Sequence, residues 1–130
     1  HMNPLYGRSM RVESVPNATE QAKTVAAHLT GQPKPFSALP WFWSDQFDLK
    51  LQIAGLSDGF DDIVLRGNPD TGRAFAAYYF KGATLLAVDA VNAPRDFMMA
   101  RMALSKGQTL DKSRLPNAED GELKALLRPV

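Results

Sequence analysis

Alternating apolar and polar residues predict a series of strands in the middle of the chain. Residues 49–53 alternate between leucine or isoleucine and a polar side chain, the pattern of a strand with one buried face. Further apolar runs predict strands over 62–66, 74–80 and 84–91. Short turns rich in glycine and aspartate separate these runs, and connections of this length favour antiparallel neighbours. We therefore predict an antiparallel β-meander of about four to five strands.

Helical periodicity appears on both sides of these strands. Apolar residues recur at i, i+3, i+4 and i+7 from Ala22 to Leu29 and form one stripe. We predict that Asn17 caps this helix and that Glu20 completes a capping box. Pro94 opens a second helix, apolar over a wide arc, that should pack firmly on the sheet. The predicted fold class is α+β, with helices packed mainly on one face of the antiparallel sheet.

The aromatic run Trp41-Phe42-Trp43 follows a proline-rich connector and contains both tryptophans of the chain. Three consecutive large rings are hard to bury on one face of a strand or helix. At least one ring should therefore point away from the others, where a ligand, cofactor or partner can reach it. The alternative is that Pro40 starts a turn and the rings close the top of a core.

The composition excludes several kinds of site. The chain has 130 residues, enough for one domain with a real core. Its net charge is +1, which gives no electrostatic case for nucleic acid or for an acidic membrane surface. It contains no cysteine, which excludes disulfides, thiolate metal sites and cysteine nucleophiles. No apolar run reaches the roughly eighteen residues of a membrane span. The absence of cysteine fits a reducing compartment, and we predict a cytoplasmic protein.

The remaining motifs are better explained as turns than as catalytic or ligand-binding sites. Residues 67–74 space their glycines like a phosphate loop, but Arg73 and Ala74 replace the lysine and the hydroxyl residue, so a hairpin turn is favoured. No G-x-G-x-x-G occurs. Asp58, Asp61 and Asp62 cluster without EF-hand spacing, and Asx-turn bonding is preferred to a calcium site. We predict no metal site and no catalytic acid, base or nucleophile.

Asp89 is unusual because it lies between Val88 and Ala90 on the last predicted strand. A carboxylate at such a position must be at an edge, be paired, or face a cleft. The simplest expectation is a hydrogen bond to a neighbouring turn or to Arg95.

The order of these segments resembles a known family. Arg11–Ala22, with the sequence RVESVPNATEQA, is similar to a segment of the FAD-dependent ferredoxin reductases of bacterial oxygenase systems, the family of putidaredoxin reductase and biphenyl dioxygenase reductase. Pro40–Gln46, the turn at residues 55–57 and Val88–Asn92 resemble the same family in the same order. The resemblance covers nearly the whole chain and is weakest after Lys106.

The resemblance places the chain at the carboxyl end of such a reductase. Residues 1–2 would be an expression-tag remnant, and residues 3–37 the last segment of the FAD domain with its helix and the proline-rich connector. Residues 38–130 would form the carboxy-terminal domain. The FAD and NAD domains, with both nucleotide-binding units, would then precede this chain. Residues 3–16, deprived of their usual neighbour, would be disordered or exchanged between chains.

The resemblance also implies roles for two groups of residues. The amino end of the helix that starts near Asn17 would face the pyrimidine side of the flavin, with Val15, Pro16 and Asn17 in contact with it. The positive end of a helix favours the negative charge of a reduced flavin. Trp41 and Trp43 would lie near the flavin, and together with Phe42 they would form the docking face for the partner.

The implied reaction is hydride transfer from NADH to FAD, followed by single-electron transfer to a [2Fe–2S] ferredoxin or a rubredoxin. NADPH remains an alternative reductant, because the residues that select the coenzyme would lie outside this chain. The chain would close the flavin site, shape the docking face, and be inactive and free of cofactor when alone. An apolar face left uncovered would favour a homodimer. The alternative is a stand-alone protein-interaction or dimerisation module.

Overall fold

Nine strands and two α-helices make up the chain, which a computed structural model describes over residues 1–130. In chain order they are β1 (Met2–Asn3), β2 (Arg8–Ser9), α1 (Val15–Leu29), β3 (Trp41–Gln46), β4 (Leu49–Gly55), β5 (Asp62–Gly67), β6 (Phe75–Lys81), β7 (Thr84–Val91), α2 (Pro94–Ser105), β8 (Gln108–Leu110) and β9 (Leu127–Pro129). Two 3-10 helices, Leu115–Asn117 and Asp120–Leu126, lie between β8 and β9.

Strands β3 to β7 form one antiparallel sheet in the order β3-β4-β7-β6-β5. The prediction of an α+β fold with an antiparallel sheet is therefore confirmed. Strands β5, β6 and β7 form a meander, whereas the β3–β4 hairpin adds to the far side of β7. The chain crosses over between β4 and β5, and this places β7, the most buried strand, in the centre of the sheet.

The core lies on one side of this sheet. Along β6, Ala76, Tyr78 and Phe80 are fully buried, and the residues between them face the other way. Helix α2 packs on the buried side, where Ala100 and Ala103 are inaccessible to solvent. Small side chains at these positions let the helix approach the strands closely. Helix α1 contacts the sheet mainly through β3, at its edge.

Helix α1 begins earlier than predicted. Ser14 is the N-cap, and its Oγ accepts a hydrogen bond from the backbone N–H of Asn17 at 3.3 Å. The prediction that Asn17 and Glu20 form a capping box is wrong, because Ser14 already caps the helix. Glu20 is instead paired with Lys23 at 2.6 Å, one turn further along the helix.

The amino-terminal segment packs against the sheet through Tyr6. The Tyr6 hydroxyl donates to the carbonyl oxygen of Leu86 at 3.0 Å and accepts from the N–H of Leu56 at 2.6 Å. The same segment forms the β1–β2 hairpin, in which Asn3 is buried. The prediction that residues 3–16 are disordered is therefore wrong, and their exchange between chains stays a prediction.

Replacement of Tyr6 by phenylalanine is expected to lower the free energy of unfolding by about 1–2 kcal/mol, because the Leu56 N–H loses its acceptor. Burial raises the pKa of the Tyr6 phenol to about 12. The phenol ionises near its ordinary pKa in the unfolded chain but stays protonated in the native chain. The stabilisation that the Tyr6 hydroxyl gives the folded state is therefore complete below pH 10 and falls as the pH rises toward 12. Urea unfolding of the wild type and the variant from pH 7 to pH 11 should show the difference between them shrinking. The exposed neighbour Leu5→Ala should change stability little at either pH.

Candidate functional site

The three consecutive rings on β3 point to two different faces of the sheet, because successive side chains of a strand alternate. Trp41 packs toward the core, with its ring centroid 5.8 Å from that of Phe97 and 5.5 Å from that of Trp43. Trp43 is 38% exposed, so it is the more accessible of the two. Phe42 points to the opposite face, as predicted for at least one of the rings. The structure thus pairs the tryptophans and separates Phe42 from them.

Arg101 of α2 completes the tryptophan pair. Its guanidinium carbon lies 4.6 Å from the centroid of the Trp41 ring, which is the geometry of a cation–π contact. This contact holds a permanent positive charge against Trp41, the ring that packs on Trp43. An aromatic surface with an adjacent guanidinium suits a partner that carries carboxylates around an apolar centre.

A groove of about 230 Å³ lies beside the chain that enters α1, next to Trp41 and Phe42 of the aromatic run. It is lined by residues of the chain entering α1, by two of the three rings, and by the end of β4: Val12, Glu13, Ser14, Pro40, Trp41, Phe42, Ile53, Gly55 and Leu56. Trp43 does not line this groove. The structure therefore gives the tryptophans different surroundings, one beside the helix end and one on the outer surface.

The amino end of α1 offers one free backbone donor. Val15 is 67% exposed and its N–H has no acceptor in the chain, while Pro16 has no N–H and is buried. Asn17 uses its backbone N–H on Ser14 and its side-chain Nδ2 on the carbonyl oxygen of Val12, at 2.7 Å. The three predicted contact residues thus lie together, but Asn17 mainly fixes the chain that enters the helix. The Val15 N–H and the positive end of the helix dipole are therefore available to bind a negative charge.

The groove fits the edge of a planar ring system and not a whole dinucleotide. Sites that enclose ligands of drug size usually have volumes of about 300–1,000 Å³, and FAD is larger still. The apolar walls of Trp41, Phe42 and Ile53 suit a flat heterocycle approached from one side. Val15, whose N–H is free, directly follows the last of the lining residues before the helix, Ser14. The chain provides no lysine, arginine or glycine-rich turn in the groove for a pyrophosphate.

A buried polar network, which the sequence patterns did not predict, connects α2 to the sheet. Arg66 of β5 donates to Asp96 Oδ2 at 2.7 Å, and the Tyr78 hydroxyl donates to Asp96 Oδ1 at 2.7 Å. Arg66 also reaches Asp120 at 2.5 Å, and this hydrogen bond lowers the pKa of the Asp120 carboxyl. Burial and the adjacent Asp96 raise the pKa of Tyr78. The network joins β5, β6, α2 and the second 3-10 helix, and so fixes the helix that carries Arg101.

The other candidate motifs are structural. Asp58 pairs with Arg8, Asp61 accepts from the N–H of Gly82, and Asp62 pairs with Lys112, so the three carboxylates have separate partners. No group of three or more histidine, cysteine, aspartate or glutamate residues is placed to hold a metal ion. None of the helices has both the length and the apolar character needed to cross a bilayer.

Asp89 does not have the hydrogen-bond partner that the sequence suggested. Its Oδ2 accepts a hydrogen bond from the Tyr79 hydroxyl at 2.8 Å, and Arg95 is paired with Asp120 instead. Both Asp89 and Tyr79 lie on the side of the sheet opposite α2. The carboxylate is therefore paired, but it faces an uncovered surface.

Comparison with known proteins gives consistent matches. The family model described as "Reductase C-terminal" matches residues 41–127. The ferredoxin reductase subunit of the 5,5'-dehydrodivanillate O-demethylase from Sphingobium sp. (strain NBRC 103272 / SYK-6) is 44% identical over 120 residues, which is 92% of this chain and 29% of that protein.

Two solved structures have the same fold. The ferredoxin reductase for the CYP199A2 system from Rhodopseudomonas palustris is 42% identical, with a TM-score of 0.88 over 96% of this chain and 31% of that one. The reductase in the covalent putidaredoxin reductase–putidaredoxin complex is 38% identical, with a TM-score of 0.86 over 95% of this chain and 30% of that one. The chain thus spans less than a third of the length of these relatives.

Proposed function

This chain belongs to the reductase C-terminal family, and from that premise we propose that it closes the flavin site of a ferredoxin reductase and receives the ferredoxin. The observation that carries the proposal is the tryptophan pair, which lies between a groove at a helix amino end and an exposed surface. In this proposal residues 3–37 complete the FAD domain and residues 38–130 form the carboxy-terminal domain. The rest of the nucleotide-binding machinery belongs to the part of the relatives that this chain does not cover.

FAD, when bound in the complete enzyme, would accept a hydride from NADH and deliver single electrons to a ferredoxin. This chain contributes the Val15 N–H and the positive end of α1, which stabilise negative charge at the edge of the ring. Trp41 and Phe42 form the apolar wall of the groove and keep water from that edge. No side chain of the chain supplies an acid, a base or a nucleophile to this chemistry.

Trp43 and Arg101 form the docking surface for the partner in this proposal. Trp43 is exposed and stacks on Trp41, so a bound partner covers the outer ring while the inner ring lies at the groove. Arg101 adds a positive charge for an acidic electron carrier. A relative crystallised in covalent complex with putidaredoxin supports a ferredoxin as this carrier. A rubredoxin is the alternative acceptor, and the proposed compartment is the cytoplasm.

The proposal is tested by comparing this chain with a full-length fusion. In the fusion, the chain replaces the matching carboxy-terminal part of the Sphingobium relative. We expect the isolated chain to be colourless and the fusion to be yellow and to reduce a [2Fe–2S] ferredoxin with NADH. Stoichiometric flavin bound to the isolated chain would contradict the proposal that this chain closes the flavin site but does not hold FAD by itself. Reduction of a rubredoxin but not of a ferredoxin would identify the alternative acceptor.

A second test removes the one free backbone donor. Ser14 has an extended backbone and proline is favoured at the first helical position, so Val15→Pro should keep α1 and delete its N–H. Loss of a hydrogen bond to a charged acceptor costs about 1.5–3 kcal/mol, so the two-electron potential of the flavin in the fusion should fall by about 30–60 mV. Val15→Ala keeps the N–H and is the matched control. An equal potential in both variants would show that this N–H does not face the flavin.

A further inference from the structure

The side of the sheet opposite α2 presents apolar side chains, and the chain that enters α1 borders it at the groove beside Phe42 and Ile53. Strand register defines three rows of side chains on this side, and we call these rows the open face. The two outer rows are Ser44, Leu51, Val91, Phe75 and Gly67 on one side, and Gly55, Ala87, Tyr79 and Ile63 on the other. The central row crosses all five strands and consists of Phe42, Ile53, Asp89, Ala77 and Leu65. Phe42, Ile63 and Leu65 are each more than two-fifths exposed. A contiguous apolar surface of this kind indicates that a partner covers it.

Asp89 lies at the centre of the open face. Its cross-strand neighbours are Ile53 on one side and Ala77 on the other, and every other residue of the central row is apolar. Oδ2 accepts from the Tyr79 hydroxyl at 2.8 Å, whereas Oδ1 has no partner in the chain. Burial, and then Asp89, raises the pKa of Tyr79 to about 12, so the phenol stays a donor at neutral pH. A partner that covers this carboxylate must supply a donor or a cation, because an unpaired buried charge is costly.

The position of the open face indicates which partner covers it. Phe42 and Ile53 belong both to the central row and to the groove at the amino end of α1. Any polypeptide that holds a flavin against that groove therefore reaches the edge of the open face. In the relatives, more than two thirds of the polypeptide lies outside the part that this chain matches.

Resting on the proposed function, we propose that the open face is covered by the flavin-carrying part of the same reductase, and that this part presents an arginine or lysine side chain to Asp89. The contact joins the two parts of the enzyme through an apolar surface with one ion pair at its centre. The ion pair sets the register of the two surfaces, and the apolar rows supply most of the buried area.

A second copy of the chain fits the open face less well. Its three rows contain no lysine or arginine, so two stacked open faces would bury Asp89 of each copy without a counter-ion. An acidic electron carrier would meet the same carboxylate with charge of the same sign. The cationic Arg101 lies on the other side of the sheet, on α2, where such a carrier finds its complement.

Carboxylate footprinting tests the inference. Carbodiimide coupling to glycine ethyl ester, read by mass spectrometry, should modify Asp89 in the isolated chain and not in the FAD-loaded fusion with the Sphingobium relative. Glu122, exposed on the second 3-10 helix at the α2 side of the sheet, should be modified equally in both. Equal modification of Asp89 in both proteins would overturn the inference.

Paired substitutions provide a second measurement. Leu65→Lys lies on the open face and Met98→Lys on α2, and both residues are about half exposed in the chain, so neither should prevent folding. In the fusion, Leu65→Lys should restore the modification of Asp89 or split thermal unfolding into two transitions. Asp89→Arg, which removes the carboxylate, should split thermal unfolding into two transitions. Met98→Lys should do neither. A Leu65→Lys fusion that behaves like Met98→Lys would count against the inference.

The experiments distinguish an error in this inference from an error in the proposed function. An FAD-loaded fusion that reduces ferredoxin but leaves Asp89 reactive overturns only the inference. A fusion without FAD and without activity overturns the proposed function and the inference with it. If light scattering shows that the isolated chain is a dimer in which Asp89 is protected, a second copy covers the open face and the inference is wrong.

Discussion

Asp96→Ala is expected to lower the free energy of unfolding by about 3–5 kcal/mol, the cost of removing one partner of a buried ion pair. Asp96 is almost fully buried and receives hydrogen bonds from both Arg66 and Tyr78. Without this carboxylate, a guanidinium and a phenol lose their acceptor in the same interior space. Because small domains are stable by only about 5–15 kcal/mol, this loss is a large fraction of the total.

Urea unfolding followed by circular dichroism measures this effect, and two variants calibrate it. Asp120→Ala removes the exposed partner of the same Arg66 and should cost less than about 1 kcal/mol. Tyr78→Phe removes one hydrogen bond and keeps the ring, so it should cost about 1–2 kcal/mol. If Asp96→Ala is no more destabilising than Asp120→Ala, the buried pair contributes no more than a surface pair.

The network also connects stability to the docking surface. Arg66 anchors the first turn of α2 through Asp96, and Arg101 lies further along the same helix. The contact between Arg101 and Trp41 therefore depends on an ion pair formed on the far strand of the sheet. A variant at Asp96 that still folds should move Arg101 and weaken partner binding, although Asp96 itself is buried.

Local patterns were sufficient to predict most of the strands and both helices. The alternation at residues 49–53 became β4, and the aromatic-rich run became β6 with the expected inward and outward sides. The aromatic run was predicted as a site but not as a strand, because Trp41-Phe42-Trp43 has no apolar–polar alternation. The run pairs with β4 across a two-residue turn, and only the structure shows the register of that pairing.

Long-range contacts could not be predicted from these patterns. Tyr6 binds backbone groups of Leu56 and Leu86, far away in the sequence, and nothing near Tyr6 indicates this. The Arg66–Asp96 pair similarly joins a strand to a helix. A usable signal existed for the Arg66–Asp96 pair, because a charged residue on an apolar strand or in the first turn of an apolar helix needs a partner. Asp89 carried the same signal, and its partner proved to be Tyr79 and not Arg95.

Trp43→Ala in the full-length fusion is expected to weaken ferredoxin binding by about 2–4 kcal/mol, or roughly 30- to 1,000-fold in Kd. Trp43 is the exposed ring of the pair, and Trp41, on which it packs, has the Arg101 guanidinium over its ring. An exposed aromatic side chain of this kind often dominates binding. Its removal also uncovers Trp41, so the rate of electron transfer at saturating ferredoxin should fall as well. Titration calorimetry and stopped-flow reduction of a [2Fe–2S] ferredoxin measure the two effects separately.

The control variants distinguish docking from folding. Trp43→Phe keeps an aromatic ring and should recover part of the affinity. Phe47→Ala removes a fully exposed ring from the β3–β4 turn, outside the tryptophan pair, and should leave Kd unchanged. Arg101→Ala should lower the affinity less than Trp43→Ala, and the loss should shrink at high salt because a surface charge is screened. If Trp43→Ala and Phe47→Ala have the same Kd, the ferredoxin docks elsewhere and the tryptophan pair serves only the flavin side of the domain.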